Sequence, residues 1–396
     1  MTTTESDTTM TASPASDGED PGSKAATAPS GSSTDPLDLE AVDALEFWVG
    51  NARQAAHFYR TGWGFRLLAY AGPETGVRDQ CSYVLEQGRL RFVVTSSMRE
   101  GTEIARHVAR HGDGVRDIAL RVADAGAAYH EAIRRGAVPV RPPWEEKDDH
   151  GIVRRATIAA FGETVHTFVE RSGYTGVHAP GFEPRTSVGD PLPDPGLVDF
   201  DHSVANVELN RMNSWVEFYE KVLGFRLIQG FTDEDIATEY SALMSKVVSD
   251  GVGRIKFPIN EPAPGKKRSQ VEEYLDFYNG PGVQHVAIST DDVVASVKAM
   301  EARGIEFMRV PDTYYDDLRA RFADLDLDID ELQRHAVLAD RDDEGYLLQI
   351  FSRMNQDRPT VFFELIERHG SQGFGNGNFK ALFVALEREQ DMRGNL

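Results

Sequence analysis

His202, His285 and Glu364 are the residues of this chain best suited to hold a metal ion, because they occupy equivalent places in the last two of four related blocks. Two imidazoles and one carboxylate on rigid strands leave three positions free on an octahedral iron, the facial arrangement of oxygen-activating ferrous enzymes that lack haem. Taken singly, each could be an ordinary hydrogen-bonded side chain. Their weight comes from context, and the context is an internal repeat.

The segment from Val42, VDALEFWVGNARQAAHFYRTGWGFRLLAY, is similar to VDFDHSVANVELNRMNSWVEFYEKVLGFRLIQGF from Val198. GDGVRDIAL from Gly112 matches GPGVQHVAI from Gly280, and VERSGYTG from Val169 matches IERHGSQG from Ile366. Matching blocks in the same order along both halves indicate duplication. Laying one half on the other puts Glu46 opposite His202, Asp117 opposite His285 and Thr167 opposite Glu364. The N-terminal half therefore lacks both imidazoles, and one metal per chain is expected, in the C-terminal half.

Each block reads as strand, helix, then strands. Trp215, Phe218, Tyr219, Val222 and Leu223 follow helical spacing up to Gly224, and Val293, Val297 and Met300 follow it up to Gly304. The glycines are expected to end those helices. FRLIQGF, GRIKFPI, VQHVAIS and YLLQIF are short, apolar and rich in β-branched or aromatic residues, as half-buried strands should be.

A formal charge of −22 over 396 residues excludes a nucleic-acid binder or a protein of anionic membrane surfaces, which would need a basic face. Cys81 is the only cysteine, so no intrachain disulfide forms and a reducing, cytoplasmic home is expected. No apolar run is long enough to span a bilayer. Residues 1–36 carry almost no large apolar side chain and should be disordered. A proline-rich stretch, 172–197, separates the halves as a linker.

Several long segments carry a more specific likeness: DHSVANVE around His202, ATEYSALMSKVV, KFPINEPA, GVQHVAI around His285, DDEGYLLQIF, PTVFFELIERHG around Glu364, and GFGNGNFKALFVALE. Through them the chain, from Leu39 to its end, resembles the 4-hydroxyphenylpyruvate dioxygenases of the vicinal-oxygen-chelate (glyoxalase/bleomycin-resistance) superfamily. The resemblance implies an α+β fold of two vicinal-oxygen-chelate domains. Each would contain two βαβββ modules in a half-open β-barrel with outer helices, and a C-terminal lid helix would follow. On that basis residues 37–171 form an N-terminal domain without metal, 198–373 the catalytic domain and 374–396 the final helix.

The resemblance further implies one Fe(2+) per chain, with 4-hydroxyphenylpyruvate and dioxygen converted to homogentisate and carbon dioxide. By their places in the family's motifs, Ser245, Asn260, Gln284 and Gln349 are assigned catalytic contacts. Pro258, Gln270, Phe351, Phe362, Phe374, Phe379 and Leu382 are assigned to the substrate wall. Neutral amides orient an oxygen-rich substrate without competing for iron, and aromatic rings exclude water. Phe362 and Phe363 alternate faces, so at most one lines the cavity. A homo-oligomer, dimer or tetramer, is expected.

Two other functions remain open at this level: 4-hydroxymandelate synthase, which uses the same substrate and triad, and a vicinal-oxygen-chelate protein that binds ligands without turnover. Pro258 in KFPINEP resembles the dioxygenase form of its strand. His111, His335 and His369 are expected to be structural. In the last segment Phe379, Leu382, Phe383 and Leu386 form an apolar stripe, with Lys380, Glu387, Arg388 and Glu389 mostly on the other side. Preceding glycines suit a lid, although a fixed core helix would show the same stripe.

Overall fold

The computed structural model describes residues 35–186, 192–232 and 241–395, so the expectation for 1–36 falls outside the described residues except for its last two. Four strand–helix–strand modules follow one another. The first is β1 (Leu39–Trp48), α1 (Ala52–Thr61), β2 (Arg66–Ala71), β3 (Gln80–Gln87) and β4 (Leu90–Ser97), followed by α2 (Glu103–His111). The second is β5 (Gly114–Val122), α3 (Ala125–Arg134), β6 (Pro139–Asp148), β7 (Gly151–Ala159) and β8 (Val165–Glu170). A two-residue strand, β9 (Glu183–Pro184), then pairs with the edge of β2.

The third module is β10 (Leu197–Asn206), α4 (Met212–Phe218) continued by one π-turn, β11 (Arg226–Phe231), β12 (Ala242–Ser249) and β13 (Lys256–Ala263). After α5 (Gln270–Tyr278) the fourth runs through β14 (Gly282–Thr290), α6 (Val293–Glu301), α7 (Thr313–Arg321) and α8 (Ile329–Arg334). It ends with β15 (Leu338–Asp342), β16 (Gly345–Phe351) and β17 (Phe362–His369), and α9 (Asn376–Met392) closes the chain.

Local chemistry explains the element ends. The side chains of Asn51, Asp124, Ser269 and Asp292 accept hydrogen bonds from backbone N–H groups at the starts of α1, α3, α5 and α6, satisfying otherwise orphaned donors. Gly224, with φ +76, stops the α4 turn in the left-handed conformation, as its position in the sequence predicts.

The two halves share one topology. Their sheets run β6-β7-β8-β5-β1-β4-β3-β2-β9 and β11-β12-β13-β10-β14-β17-β16-β15. In each, the first strands of two modules pair antiparallel at the centre, and each is flanked on its other side by the last strand of its own module, running parallel. The sheets curl into half-barrels. Alternation along the strands then divides the side chains between the barrel interior and a core between the halves. Phe363 enters that core, stacked on Phe92 at 5.7 Å and packed on Trp63 at 4.6 Å. Phe362, its neighbour, faces the other way. No helix among the described residues is long and apolar enough to cross a membrane.

Candidate metal centre and active site

Three adjacent strands bring the proposed ligands together. His202 lies on β10, His285 on β14 and Glu364 on β17. Ala287 stands opposite both His202 and Glu364, and His285 lies opposite Val204 on one side and Phe362 on the other. Nε2 of His202 is 3.3 Å from Glu364 Oε2, and Nε2 of His285 is 3.4 Å from the same oxygen. All three side chains are buried. Two ring nitrogens and a carboxylate oxygen thus converge, close enough to share one cation.

The rings are aimed by two β-bulges. Between β10 and β14 the register slips after Phe200, leaving Asp201 extra, and slips again after Val204, leaving Gln284 extra. A bulge residue leaves the strict alternation of the strand. Each one here holds the histidine that follows it. His202 Nδ1–H donates to Asp201 Oδ1 at 2.7 Å, and His285 Nδ1–H donates to Gln284 Oε1 at 2.9 Å. With the proton held on Nδ1, both Nε2 lone pairs point inward, the arrangement that metal-ligating histidines require. Gln284 is itself fixed by donating to Gln270 at 2.5 Å. Asp201 is fixed by Arg368, whose Nε and Nη2 reach its two oxygens at 2.7 and 2.8 Å.

Charge follows this geometry. Burial pushes the Asp201 carboxyl upward, but the hydrogen bonds from Arg368 and His202 outweigh it and hold the group well below the usual range. Burial likewise opposes charge on His202, yet Glu364 and Asp201 raise it above the ordinary imidazole value. His285, with no anion on Nδ1, is drawn down by burial. Glu364 is lowered despite burial, because both imidazoles face it. His202 is therefore the ligand at which a proton and a metal cation compete.

Above the triad lies a cavity lined by Ser245, Pro258, Asn260, Gln270, Gln284, Phe351, Phe374, Phe379 and Leu382 among others. Two residues assigned from the sequence stand outside its lining. Phe362 stacks on the His285 ring, centroids 4.8 Å apart at 25°, and Gln349 is buried beneath Gly375. A Cβ at Gly375 would sit 2.5 Å from the Gln349 amide, so only glycine lets the chain pass there. Sequence reasoning missed Val204, Leu243 and Val247, apolar wall residues indistinguishable from core by spacing, and the Asp201–Arg368 pair. The Asp-His dipeptide was the available signal for the pair.

α9 covers the cavity with Phe379, Leu382, Phe383 and Leu386, as the stripe predicts. One side chain departs from that pattern. Glu387 is buried and accepts a hydrogen bond from Ser241 Oγ at 2.6 Å, so the helix is pinned by a polar contact on the face expected to meet solvent.

The N-terminal half repeats the scaffold with a corrected register. β1 and β5 carry the same two bulges, leaving Asp43 and Arg116 extra. Counting from them, Ala44, not Glu46, is the counterpart of His202, while Asp117 and Thr167 do stand for His285 and Glu364. Aligning the Val-Asp pairs misplaced Glu46 by two residues, which keeps the face but shifts the position. Glu46 and Asp117 face each other across the strands, inside a polar cavity. Asp43 is gripped by Arg171 at 2.9 and 2.5 Å, just as Asp201 is by Arg368.

Comparison with known proteins agrees with this construction. The family model described as "Glyoxalase/Bleomycin resistance protein/Dioxygenase superfamily" matches residues 200–350. The 4-hydroxyphenylpyruvate dioxygenase of Aspergillus fumigatus is 44% identical over 401 residues, covering 93% of this chain and 100% of that protein. Those of Dictyostelium discoideum and Xenopus tropicalis are each 46% identical, covering 90% and 89% of this chain and 100% and 92% of their own. Among solved structures, a mutant of 4-hydroxymandelate synthase from Streptomyces coelicolor is similar, with a TM-score of 0.79 and 35% identity over 90% of this chain and 100% of that one.

Proposed function

The chain belongs to the 4-hydroxyphenylpyruvate dioxygenase family, and from that premise we propose that it converts 4-hydroxyphenylpyruvate and dioxygen to homogentisate and carbon dioxide on one ferrous ion held by His202, His285 and Glu364. The observation that carries this reading is the convergence of three buried donor atoms, 3.3 and 3.4 Å across the two histidine–carboxylate pairs, at the floor of an apolar cavity. Two nitrogens and one anionic oxygen suit ferrous iron, and both lone pairs are aimed by hydrogen bonds made elsewhere. When bound, the iron would supply the redox chemistry that activates dioxygen and would take up the 2-oxoacid end of the substrate.

The chain's own residues would orient and protect that chemistry. Ser245, Asn260, Gln270 and Gln284 offer neutral hydrogen-bonding groups to the substrate's oxygens. Phe351, Phe374 and Phe379 form an aromatic wall that favours the phenyl ring and keeps water from reactive species. Gln349 and Phe362 would act one layer back, by supporting the turn before α9 and the His285 ring. A lid role for α9, a cytoplasmic home and a dimer or tetramer complete the proposal. Light scattering checks the last of these.

The solved relative gives 4-hydroxymandelate synthase as the second reading, since that protein shares the fold over nearly the whole chain. Oxygen uptake with 4-hydroxyphenylpyruvate, followed by chromatographic product identification, separates the two. Mainly homogentisate is expected. Mainly 4-hydroxymandelate would transfer the protein to the other activity.

A further inference from the structure

We propose that His107, His111 and Glu163 form a second metal site, suited to zinc, on the N-terminal half. α2 places the two histidines one turn apart on one face. The turn joining β7 to β8 brings Glu163 to them. His107 Nδ1 is 2.8 Å from Glu163 Oε2, His111 Nε2 is 3.3 Å from the same oxygen, and the three donor atoms lie within 4.8 Å of one another. The turn can approach this closely because Gly162, with φ +60, has no side chain. A Cβ there would lie 2.3 Å from the Pro281 carbonyl oxygen.

The hydrogen bonding around His111 points to a cation. Its Nδ1 lies 2.5 Å from the carbonyl oxygen of Tyr278, at the end of α5. A carbonyl only accepts, so Nδ1 carries a proton, and Nε2 is the ring nitrogen turned to the Glu163 carboxylate. That nitrogen is buried, and the Glu163 carboxylate 3.3 Å away is the polar group it faces. A ring nitrogen locked by a backbone carbonyl, with its partner nitrogen aimed at a carboxylate, is how proteins prepare a histidine ligand. The Tyr278 ring packs on His111 at 4.6 Å and the Trp48 ring meets His107 edge-on at 5.2 Å, so neither imidazole can turn away. Burial lowers His107 to about 4, which keeps that ring neutral as a ligand must be.

Zinc fits the donor set. Two imidazoles and one carboxylate are ordinary zinc ligands, and a half-exposed Glu163 leaves a fourth, tetrahedral position open to water. At mixed nitrogen and oxygen sites zinc binds more strongly than ferrous iron. Arg110 reaches the other carboxylate oxygen, Oε1, at 3.3 Å and leaves Oε2 to the ion. An ion here would tie α2 to the β7–β8 turn and, through His111, to α5. The site would be a clamp between the two halves, built from residues other than the ligands on β10, β14 and β17.

The test uses the iron-loaded full chain dialysed against zinc sulfate. Expected are two metal ions per chain in all, a zinc-edge anomalous diffraction peak among His107, His111 and Glu163, and a higher thermal midpoint with zinc. Glu163→Gln changes a half-exposed residue and should fold. It should weaken zinc binding by at least about tenfold, erase the rise in midpoint and leave iron content and turnover unchanged. Zinc found only by displacing iron, no peak among the three residues, or Glu163→Gln binding zinc as tightly as the parent would overturn the proposal.

Discussion

Replacing Asp201 by Asn separates the charge of the orienting residue from its shape. Asn keeps an oxygen at Oδ1, so it can still accept from His202 Nδ1–H across the 2.7 Å contact. What disappears is the anion. Arg368 loses its bond to Oδ2, meets an uncharged Oδ1, and retains the backbone oxygens of Ser371 and Gly373 at 3.2 and 2.7 Å. Removing one member of a buried ion pair costs about 3–5 kcal/mol. The lower end applies here, because two acceptors remain and the Arg368 side chain is 15% exposed. Losing a partner that polarises a ligating imidazole costs about 10- to 100-fold in metal affinity, or roughly 1.4–2.7 kcal/mol. Competition titration against a chromophoric chelator, well below the unfolding temperature, reads the second effect without the first. Asp43→Asn is the control, since it strips the same kind of pair from the half without a ligand triad. It should lower stability and leave iron binding intact. Asp201→Asn with unchanged iron affinity would refute the polarising role.

Glu364→Gln removes the anionic ligand at nearly constant shape, so iron affinity and oxygen uptake should collapse together while circular dichroism is preserved; full turnover would sink the triad. Metal analysis of the iron-reconstituted protein should find one iron per chain at His202, His285 and Glu364, and an iron located among Ala44, Asp117 and Thr167 would contradict the loss of ligands there. A chain ending at Gly373 should fold and bind iron but consume oxygen with less homogentisate per oxygen; unchanged coupling would reject a lid, and failure to fold would favour a core helix. Burial, aided by nearby Glu46, pushes Asp117 up to about 7 from an ordinary 3.8. The folded state therefore binds that proton more tightly, and this contribution is full below pH about 4 and lost as pH rises through about 7. Asp117→Asn should gain stability on the parent over that window, by at most about 4 kcal/mol, and hold the gain above it; a difference that does not change with pH would dismiss the shifted proton.

How far the sequence could be read depended on whether a feature was local. Helix ends at Gly224, the strand runs and the stripe on α9 are set by neighbouring residues, and each appears in the structure. The triad was legible because duplication supplied an internal comparison. The register of β1 against β10 was not, since a two-residue slip preserves the inward face and is corrected only by locating the bulges. Bulges leave no mark in an apolar/polar pattern. For the same reason the roles of Asp201 and Gln284 were hidden or incomplete: each contact joins adjacent residues whose side chains a regular strand would send to opposite faces. The second histidine cluster depends on a turn 52 residues beyond His111 in the sequence, a proximity no periodicity encodes.

The two halves separate what builds the metal centre from what occupies it. Both keep bulges at the same register and an aspartate at one of them gripped by an arginine on, or just past, the strand that ends the half's second module. What differs at the ligand positions is the side chain: Ala44 for His202, Asp117 for His285 and Thr167 for Glu364. Had the Asp–Arg pair served the metal alone, nothing would hold it in a half without ligands. Its presence in both halves argues that the pair first stabilises the bulge, where a strand has given up regular hydrogen bonding, and that orientation of His202 uses a brace already there. On this view the centre's rigidity belongs to the barrel rather than to the bound ion. Loss of iron should then leave the Asp201–Arg368 contact, and the direction of the His202 ring, in place.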